Sequence, residues 1–229
     1  DKILKKFAIF VHEDYVYIYN GICYEQVTDK QLQKKVYYIC KTDIKNIGSI
    51  NFLNEVCKFI KIEPGIQYSG SLHNSHILTF LNGNLNLIDG QLYEHSPQVI
   101  TCYALQCNYL SNQQKLNTPY FDTLLENISG GNAGIKQRIW QMFGYCLAPD
   151  TKAKKVFLLQ GARHSGKSLL CRLLESFFPK SAISALNAHD FSSKFALSEL
   201  ENKALCVSAD MSAEPLNARA VSNIKKLSG

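Results

Sequence analysis

Residues 155–168 read Lys155-Val156-Phe157-Leu158-Leu159-Gln160-Gly161-Ala162-Arg163-His164-Ser165-Gly166-Lys167-Ser168. This stretch contains the pattern G-x-x-x-x-G-K-S, which is typical of the phosphate-binding loop (P-loop) of nucleoside triphosphatases. Phosphates are bound there by backbone N–H groups that point inward, and Gly161 and Gly166 let the backbone turn and approach a ligand closely. A helix that begins near Lys167 would add its N-terminal dipole and unpaired N–H groups.

The pattern predicts the roles of two residues and the extent of the nucleotide-binding site. Lys167 is predicted to be catalytic and to reach the β- and γ-phosphates of ATP, and the Ser168 hydroxyl is predicted to hold Mg²⁺. The predicted nucleotide-binding residues are consecutive: Gly161, Ala162, Arg163, His164, Ser165, Gly166, Lys167, Ser168 and Leu169.

The flanking residues supply the context that a P-loop requires. Residues 156–159 form an uninterrupted apolar run, which predicts a buried parallel strand. Leucine and phenylalanine residues recur at helical spacing between residues 169 and 178, and Pro179 ends that segment. A simple glycine turn without a ligand would not need Lys167 and Ser168 at these positions.

A P-loop also needs a strand that brings a carboxylate to the metal ion. Residues 204–210 fit this role, because an apolar run ends there in Asp210. Asp210 is therefore predicted to bind Mg²⁺ and to be catalytic, by orienting a metal-bound water or acting through it as a base. The alternative is that Asp210 caps the following turn. Glu214 is a second candidate carboxylate, but its spacing is not diagnostic.

Composition limits the class of protein. The chain has 229 residues, of which 46% are hydrophobic, and a formal net charge of +6, which permits a polyanionic partner without requiring one. No apolar run approaches membrane-spanning length, and the first residues do not resemble a signal peptide. The eight cysteines include no C-x-x-C pair, which disfavours a zinc site. Because ATP and Mg²⁺ are cytosolic, reduced thiols and a cytoplasmic location are expected.

Three regions are predicted along the chain. Residues 1–117 form an α+β region, residues 118–150 are helical with a break at Gly130-Gly131, and residues 151–229 contain the P-loop. In the first region we expect strands over residues 7–11, 15–19, 22–27, 77–81, 85–88 and 99–104, and helices capped by Asp29 and Ser49. Trp140 is expected to pack against its neighbours rather than to stack on a base.

Four stretches resemble the C-terminal helicase module of phage and plasmid primases, which belongs to the superfamily 3 helicases of the AAA+ class. They are residues 80–87, residues 119–125 with 140–147, the P-loop itself and residues 195–229. Together they cover about residues 76–229 in the order of that family. Residues 1–75 could correspond to the region that such proteins place between primase and helicase, although no motif there shows it.

The resemblance implies a fold and a function. The fold is an α/β, AAA+-type P-loop NTPase core, incomplete at its C-terminus, preceded by a helical collar and an N-terminal α+β region. The function is that of an ATP-dependent DNA helicase in the replication of a mobile element. It would hydrolyse ATP to move on single-stranded DNA as a homo-oligomeric, hexameric ring, with a primase domain or a primase partner.

The chain departs from that family in three respects. Ser165 stands where the family often has Asn, and Asp210 is followed by Met211 where many relatives have Glu or a pair of acids, which leaves the catalytic base open. The family's sensor asparagine, arginine finger and pore hairpin are expected beyond Gly229, so this segment is expected to bind ATP with little hydrolysis.

Two alternative functions remain: a nucleotide-binding initiator or assembly module without turnover, and another P-loop enzyme such as a kinase.

Overall fold

A computed structural model describes residues 4, 6–41, 49–111, 116–208 and 214–228. The chain divides into two compact units, one of Asp1–Asn74 with Glu94–Tyr103 and one of Ser75–Tyr93 with Ala104–Gly229. We call them the amino-terminal unit and the P-loop unit. They do not follow the predicted boundaries after residues 117 and 150, because the helices of residues 118–150 belong to the same unit as the P-loop.

The amino-terminal unit contains an antiparallel sheet of three strands. These are β1 (Ile9–His12), β2 (Tyr15–Tyr19) and β3 (Tyr24–Val27), paired in that order. The predicted strands are therefore confirmed, with ends that differ by one or two residues. Glu13 and Asp14 join β1 to β2 with φ values of 47° and 66°, which is the conformation of a two-residue hairpin turn.

Two helices pack against one face of this sheet, α1 (Asp29–Cys40) and α2 (Ile50–Ile62). Their buried side chains join those of the strands in one cluster: Val11, Val16, Ile18, Val27, Leu32, Val36, Cys57 and Ile60. Ile50, the first residue of α2, lies outside this cluster and is 72% exposed.

The N-terminal cap of α1 differs from the prediction. Thr28, not Asp29, is the capping residue, because Thr28 is extended and its hydroxyl accepts a hydrogen bond from the Gln31 N–H. Asp29 is the first helical residue, and its carboxylate lies 2.7 Å from Lys61 Nζ of α2. Ser49 caps α2 as predicted.

The P-loop unit begins with a second antiparallel sheet, formed by β4 (Ile77–Phe80), β5 (Gly83–Asn86) and β6 (Leu92–Tyr93). Asn82 at its first turn donates to the Tyr109 carbonyl and accepts from the Tyr109 N–H. The strand predicted over residues 99–104 does not form. The Tyr24 N–H does donate to the Thr101 carbonyl at 2.8 Å, but an isolated hydrogen bond is not a ladder.

Two helices follow, α3 (Pro119–Ser129) and α4 (Ala133–Leu147). The predicted break between them is confirmed: Gly130 ends α3 in the left-handed conformation, and the Asn132 side chain caps α4. The Trp140 ring lies edge-on to Phe121 with 5.2 Å between centroids, while 55% of Trp140 stays exposed.

The last part of the P-loop unit contains α5 (Lys167–Ser176), β7 (Ile183–Ser184), β8 (Leu205–Cys206) and α6 (Ala218–Ser228). β7 and β8 pair in parallel, with Ile183 opposite Leu205 and Ser184 opposite Cys206. In the described ranges, no helix is both long and apolar enough to cross a membrane.

A substitution at Gly83 tests the close packing of the second sheet. Its φ is +155°, and a Cβ atom there would lie 2.6 Å from the Tyr93 carbonyl oxygen. Gly83→Ala should therefore lower the free energy of unfolding by roughly 2–3 kcal/mol in urea denaturation. Gly144→Ala is the matched control, since Gly144 is an exposed helical residue with no atom within 4 Å of an added Cβ. It should be neutral or stabilise by up to about 1 kcal/mol; equal stability of the two variants would contradict the close contact at Gly83.

Candidate phosphate-binding site

The loop ends where α5 begins. Gly166 is the residue before the helix, with a φ of +87°, and its carbonyl accepts hydrogen bonds from the N–H groups of Leu169 and Leu170, both at 3.0 Å. The predicted helix start at Lys167 is therefore confirmed. The first N–H groups of a helix have no acceptor within it, so this end of α5 presents unpaired donors to the loop.

The Lys167 side chain folds back over the loop. Its Nζ donates to the Gly161 carbonyl at 3.0 Å, to the Ala162 carbonyl at 2.7 Å and to Ser165 Oγ at 3.1 Å. The ammonium group is thus held at the mouth of the loop, beside the N-terminus of α5. Lys167 and Ser165 are half-buried, whereas Gly161 and Ala162 are exposed.

Both glycines of the motif occupy places where a side chain would not fit freely. A Cβ atom on Gly161 would lie 3.1 Å from Ser165 Oγ, and one on Gly166 would lie 2.8 Å from Ile128 Cδ1. Gly166 also has the left-handed backbone that strains other residues. The two glycines therefore leave room for neighbouring protein atoms, so that the loop folds tightly on itself and packs against Ile128.

Four other predicted contact residues surround this centre. Arg163 and His164 are exposed at the tip of the loop, and His164 has a φ of 58°, which is uncommon outside glycine. Ser168 is exposed in the first turn of α5, as is Leu169, at 49%. Residues 161–164, 168 and 169 are therefore exposed, and residues 165–167 are half-buried.

Helix α3 contacts the loop itself, and helix α4 contacts the segment that precedes it. The Ile128 and Leu124 side chains of α3 lie against Gly166. The Tyr145 hydroxyl of α4 accepts a hydrogen bond from the Lys155 N–H at 3.4 Å, and its ring meets Phe157 edge-on at 5.7 Å. The contact of α3 with Gly166 could not be predicted from the sequence, because no local signal shows which surface a helix covers.

The predicted buried strand before the loop is wrong in this structure. Residues 156–159 are not in a strand, and Val156 and Leu158 are 67% and 70% exposed. A strand requires a hydrogen-bonded neighbour. Among the described residues, β7 and β8 pair with each other, and no strand pairs with residues 156–159.

The predicted metal-binding acid lies outside the described residues, since Asp210 falls in the range 209–213. The described chain leads towards it: beyond β8, the Val207 N–H donates to the Ser184 carbonyl at 3.0 Å, and Ser208 Oγ accepts from the Ala188 N–H at 3.1 Å. Glu214, the alternative acid, is exposed. The joint placement of Ser168 and Asp210 around Mg²⁺ stays a prediction.

The thiols near the site are poor nucleophiles. Burial raises the pKa of the Cys146 thiol in α4 to about 11 and raises the pKa of the Cys171 thiol in α5. A thiol with such a pKa is protonated at neutral pH. All eight cysteines are free. Within the part of the chain that the structure describes, no three His, Cys, Asp or Glu side chains are grouped to hold a metal ion.

Residues 159–229 match the model of a protein family of unknown function, DUF5906. The match begins two residues before Gly161 and includes the loop, α5, β7, β8 and α6. No curated protein matches this chain.

A substitution at Gly166 tests the site together with its support. Gly166→Ala should lower the affinity for a fluorescent ATP analogue (mant-ATP) at least tenfold and destabilise the fold by about 1–3 kcal/mol, since it strains the backbone and overlaps Ile128. The double variant Gly166→Ala/Ile128→Ala should recover part of the binding, because the overlap is gone while the strain remains. Wild-type affinity in Gly166→Ala alone would contradict this geometry.

Proposed function

We propose that this chain binds ATP at residues 161–169 and belongs to an ATP-dependent DNA helicase. The observation that carries the nucleotide site is the position of Lys167 Nζ, bonded to Gly161 O, Ala162 O and Ser165 Oγ at the N-terminus of α5. It supports a site for a polyphosphate, because a cation and unpaired helix N–H groups converge on one opening.

The charge of Lys167 supports an anionic ligand. In the described part of the chain, Lys167 is bonded only to neutral oxygens, so its positive charge is not neutralised by a carboxylate. A triphosphate would supply the opposite charge. Because three oxygens hold the ammonium group at the loop, little side-chain entropy remains to be lost when the ligand binds.

The proposed metal site takes its protein ligands from two parts of the P-loop unit. Ser168 in the first turn of α5 would contribute its hydroxyl, and Asp210 beyond β8 would contribute its carboxylate. Mg²⁺ would offset the negative charge of the phosphates when bound. The parallel pairing of β7 with β8 supports this arrangement, since Asp210 follows β8 in the sequence by four residues.

The helicase part of the proposal depends on the resemblance of residues 76–229 to superfamily 3 helicases. It includes a hexameric ring on single-stranded DNA, a primase domain or partner and a cytoplasmic location. The packing of Ile128 and Leu124 on Gly166 adds structural support. A motor must convert a change at the nucleotide into movement elsewhere, and here α3 touches the loop directly.

A second candidate is a nucleotide-binding assembly module without turnover. It is favoured by the sequence Asp210-Met211, which lacks the second acid or the glutamate of many relatives. ATP hydrolysis by the full-length protein with and without a single-stranded oligonucleotide separates the candidates. Stimulation by DNA supports the helicase, and binding without hydrolysis supports the module. Phosphorylation of an acceptor would instead indicate a kinase.

Lys167→Ala gives the direct test of the nucleotide site. Loss of its ammonium group should weaken mant-ATP binding at least tenfold and abolish hydrolysis, while the circular dichroism spectrum stays unchanged. The matched control is Lys152→Ala, which removes an exposed lysine paired with Asp150 at 3.3 Å and should leave binding within twofold. Equal binding by wild type and Lys167→Ala would overturn the assignment.

The choice of acid can be tested by two conservative substitutions. If Asp210 acts through Mg²⁺, Asp210→Asn should still bind ATP but hydrolyse it orders of magnitude more slowly, and Glu214→Gln should keep near-normal hydrolysis. Single-turnover hydrolysis in the full-length protein measures both. A slow Glu214→Gln with a normal Asp210→Asn would reverse the two roles.

A further inference from the structure

The solvent face of α1 in the amino-terminal unit combines three lysines with two tyrosines. Lys30, Lys34 and Lys41 follow one line along the helix, and Tyr37 and Tyr38 lie on either side of it. All five residues are exposed, and of the two tyrosines Tyr38 is the more exposed, at 70% against 38% for Tyr37. We call these five residues the lysine–tyrosine face.

The opposite side of α1 fixes this face in place. Leu32, Val36 and Ile39 are buried in the core, with exposures of 1%, 0% and 6%. The helix therefore cannot rotate to bury its tyrosines. The two tyrosine rings meet edge-on at 5.9 Å, so they form a pair of aromatic surfaces in solvent rather than part of the core.

In the part of the chain that the structure describes, the positive charge of this face is not compensated by an acid. Asp29 is the acidic residue of α1, and it is paired with Lys61 on the side that faces α2. Among the described residues, no carboxylate forms an ion pair with Lys30, Lys34 or Lys41. Like charges one helical turn apart repel each other, and a polyanion bound along the face would remove that repulsion.

We propose that the lysine–tyrosine face binds single-stranded nucleic acid. The three ammonium groups bind backbone phosphates, and the tyrosine rings stack on unpaired bases. Lys30 and Lys41 are eleven residues apart, which is about 16 Å along a helix, or the length of about five stacked nucleotides.

This proposal goes beyond the nucleotide site in two ways. It concerns the other compact unit of the chain, and it requires neither ATP nor Mg²⁺. Exposed aromatic rings distinguish a single strand from other anions, because a duplex covers the faces of its bases and an acidic peptide or a lipid headgroup has no base to stack. Binding to single strands is therefore the expected preference.

The charge part of the proposal is tested by fluorescence anisotropy with a fluorescein-labelled dT20 oligonucleotide and no nucleotide present. The 229-residue chain should bind it, and Lys30→Gln/Lys34→Gln should bind at least tenfold more weakly in 50 mM salt. The slope of log affinity against log salt concentration is negative, and its magnitude should decrease by about 1.4 because two phosphate contacts are lost. Lys180→Gln/Lys194→Gln removes the same charge from exposed lysines of the P-loop unit and should stay within twofold.

The stacking part is tested at Tyr38. Tyr38→Leu should weaken dT20 binding roughly five- to tenfold, whereas Tyr38→Phe, which keeps the ring, should stay within twofold of wild type. A mixed-sequence 20-mer should bind more tightly as a single strand than as a blunt duplex. Circular dichroism checks that each variant is folded.

Four results would each overturn the proposal: no binding of dT20, equal losses in the two double-lysine variants, unchanged binding by Tyr38→Leu, or a preference for the duplex. These outcomes are independent of the nucleotide site. Failure of the chain to bind mant-ATP would refute the proposed function and leave the dT20 result intact, and the reverse also holds.

Discussion

The hydrogen bonds from Lys167 to the carbonyls of Gly161 and Ala162 define the geometry of the candidate site. They close residues 161–167 into a loop, with the ammonium group at its opening and the N-terminus of α5 behind it. Ser165 adds a third oxygen. Without these hydrogen bonds, an exposed loop could adopt many conformations.

Gly166 links this loop to the rest of the P-loop unit. Its position leaves room for Ile128, so α3 and the loop are in contact at the residue where the chain must take a left-handed turn. Tyr145 of α4 holds the chain that enters the loop. A change in the conformation of Gly166 would therefore act directly on α3 through Ile128 and Leu124.

Local chemistry made part of this structure predictable from the sequence. The strands of the first sheet, the helix break at Gly130 and the helix start at Lys167 follow from residue types and spacing. What depends on distant partners was not predictable. Residues 156–159 are apolar enough for a strand, but the described residues give them no hydrogen-bonded neighbour. Thr28 and Asp29 are both good caps, and their order was settled by the backbone angles of Thr28.

Hydrogen–deuterium exchange with and without a slowly hydrolysed ATP analogue tests the central claim most directly, because it observes the backbone N–H groups that are said to bind phosphate. With Mg²⁺ and the analogue present, residues 161–169 should show slower exchange. The segment of α3 around Ile128 should also exchange more slowly, because it contacts Gly166. The tip of the β1–β2 hairpin at Glu13 and Asp14 should not change. Unchanged exchange across residues 161–169 at saturating analogue would contradict a phosphate-binding loop.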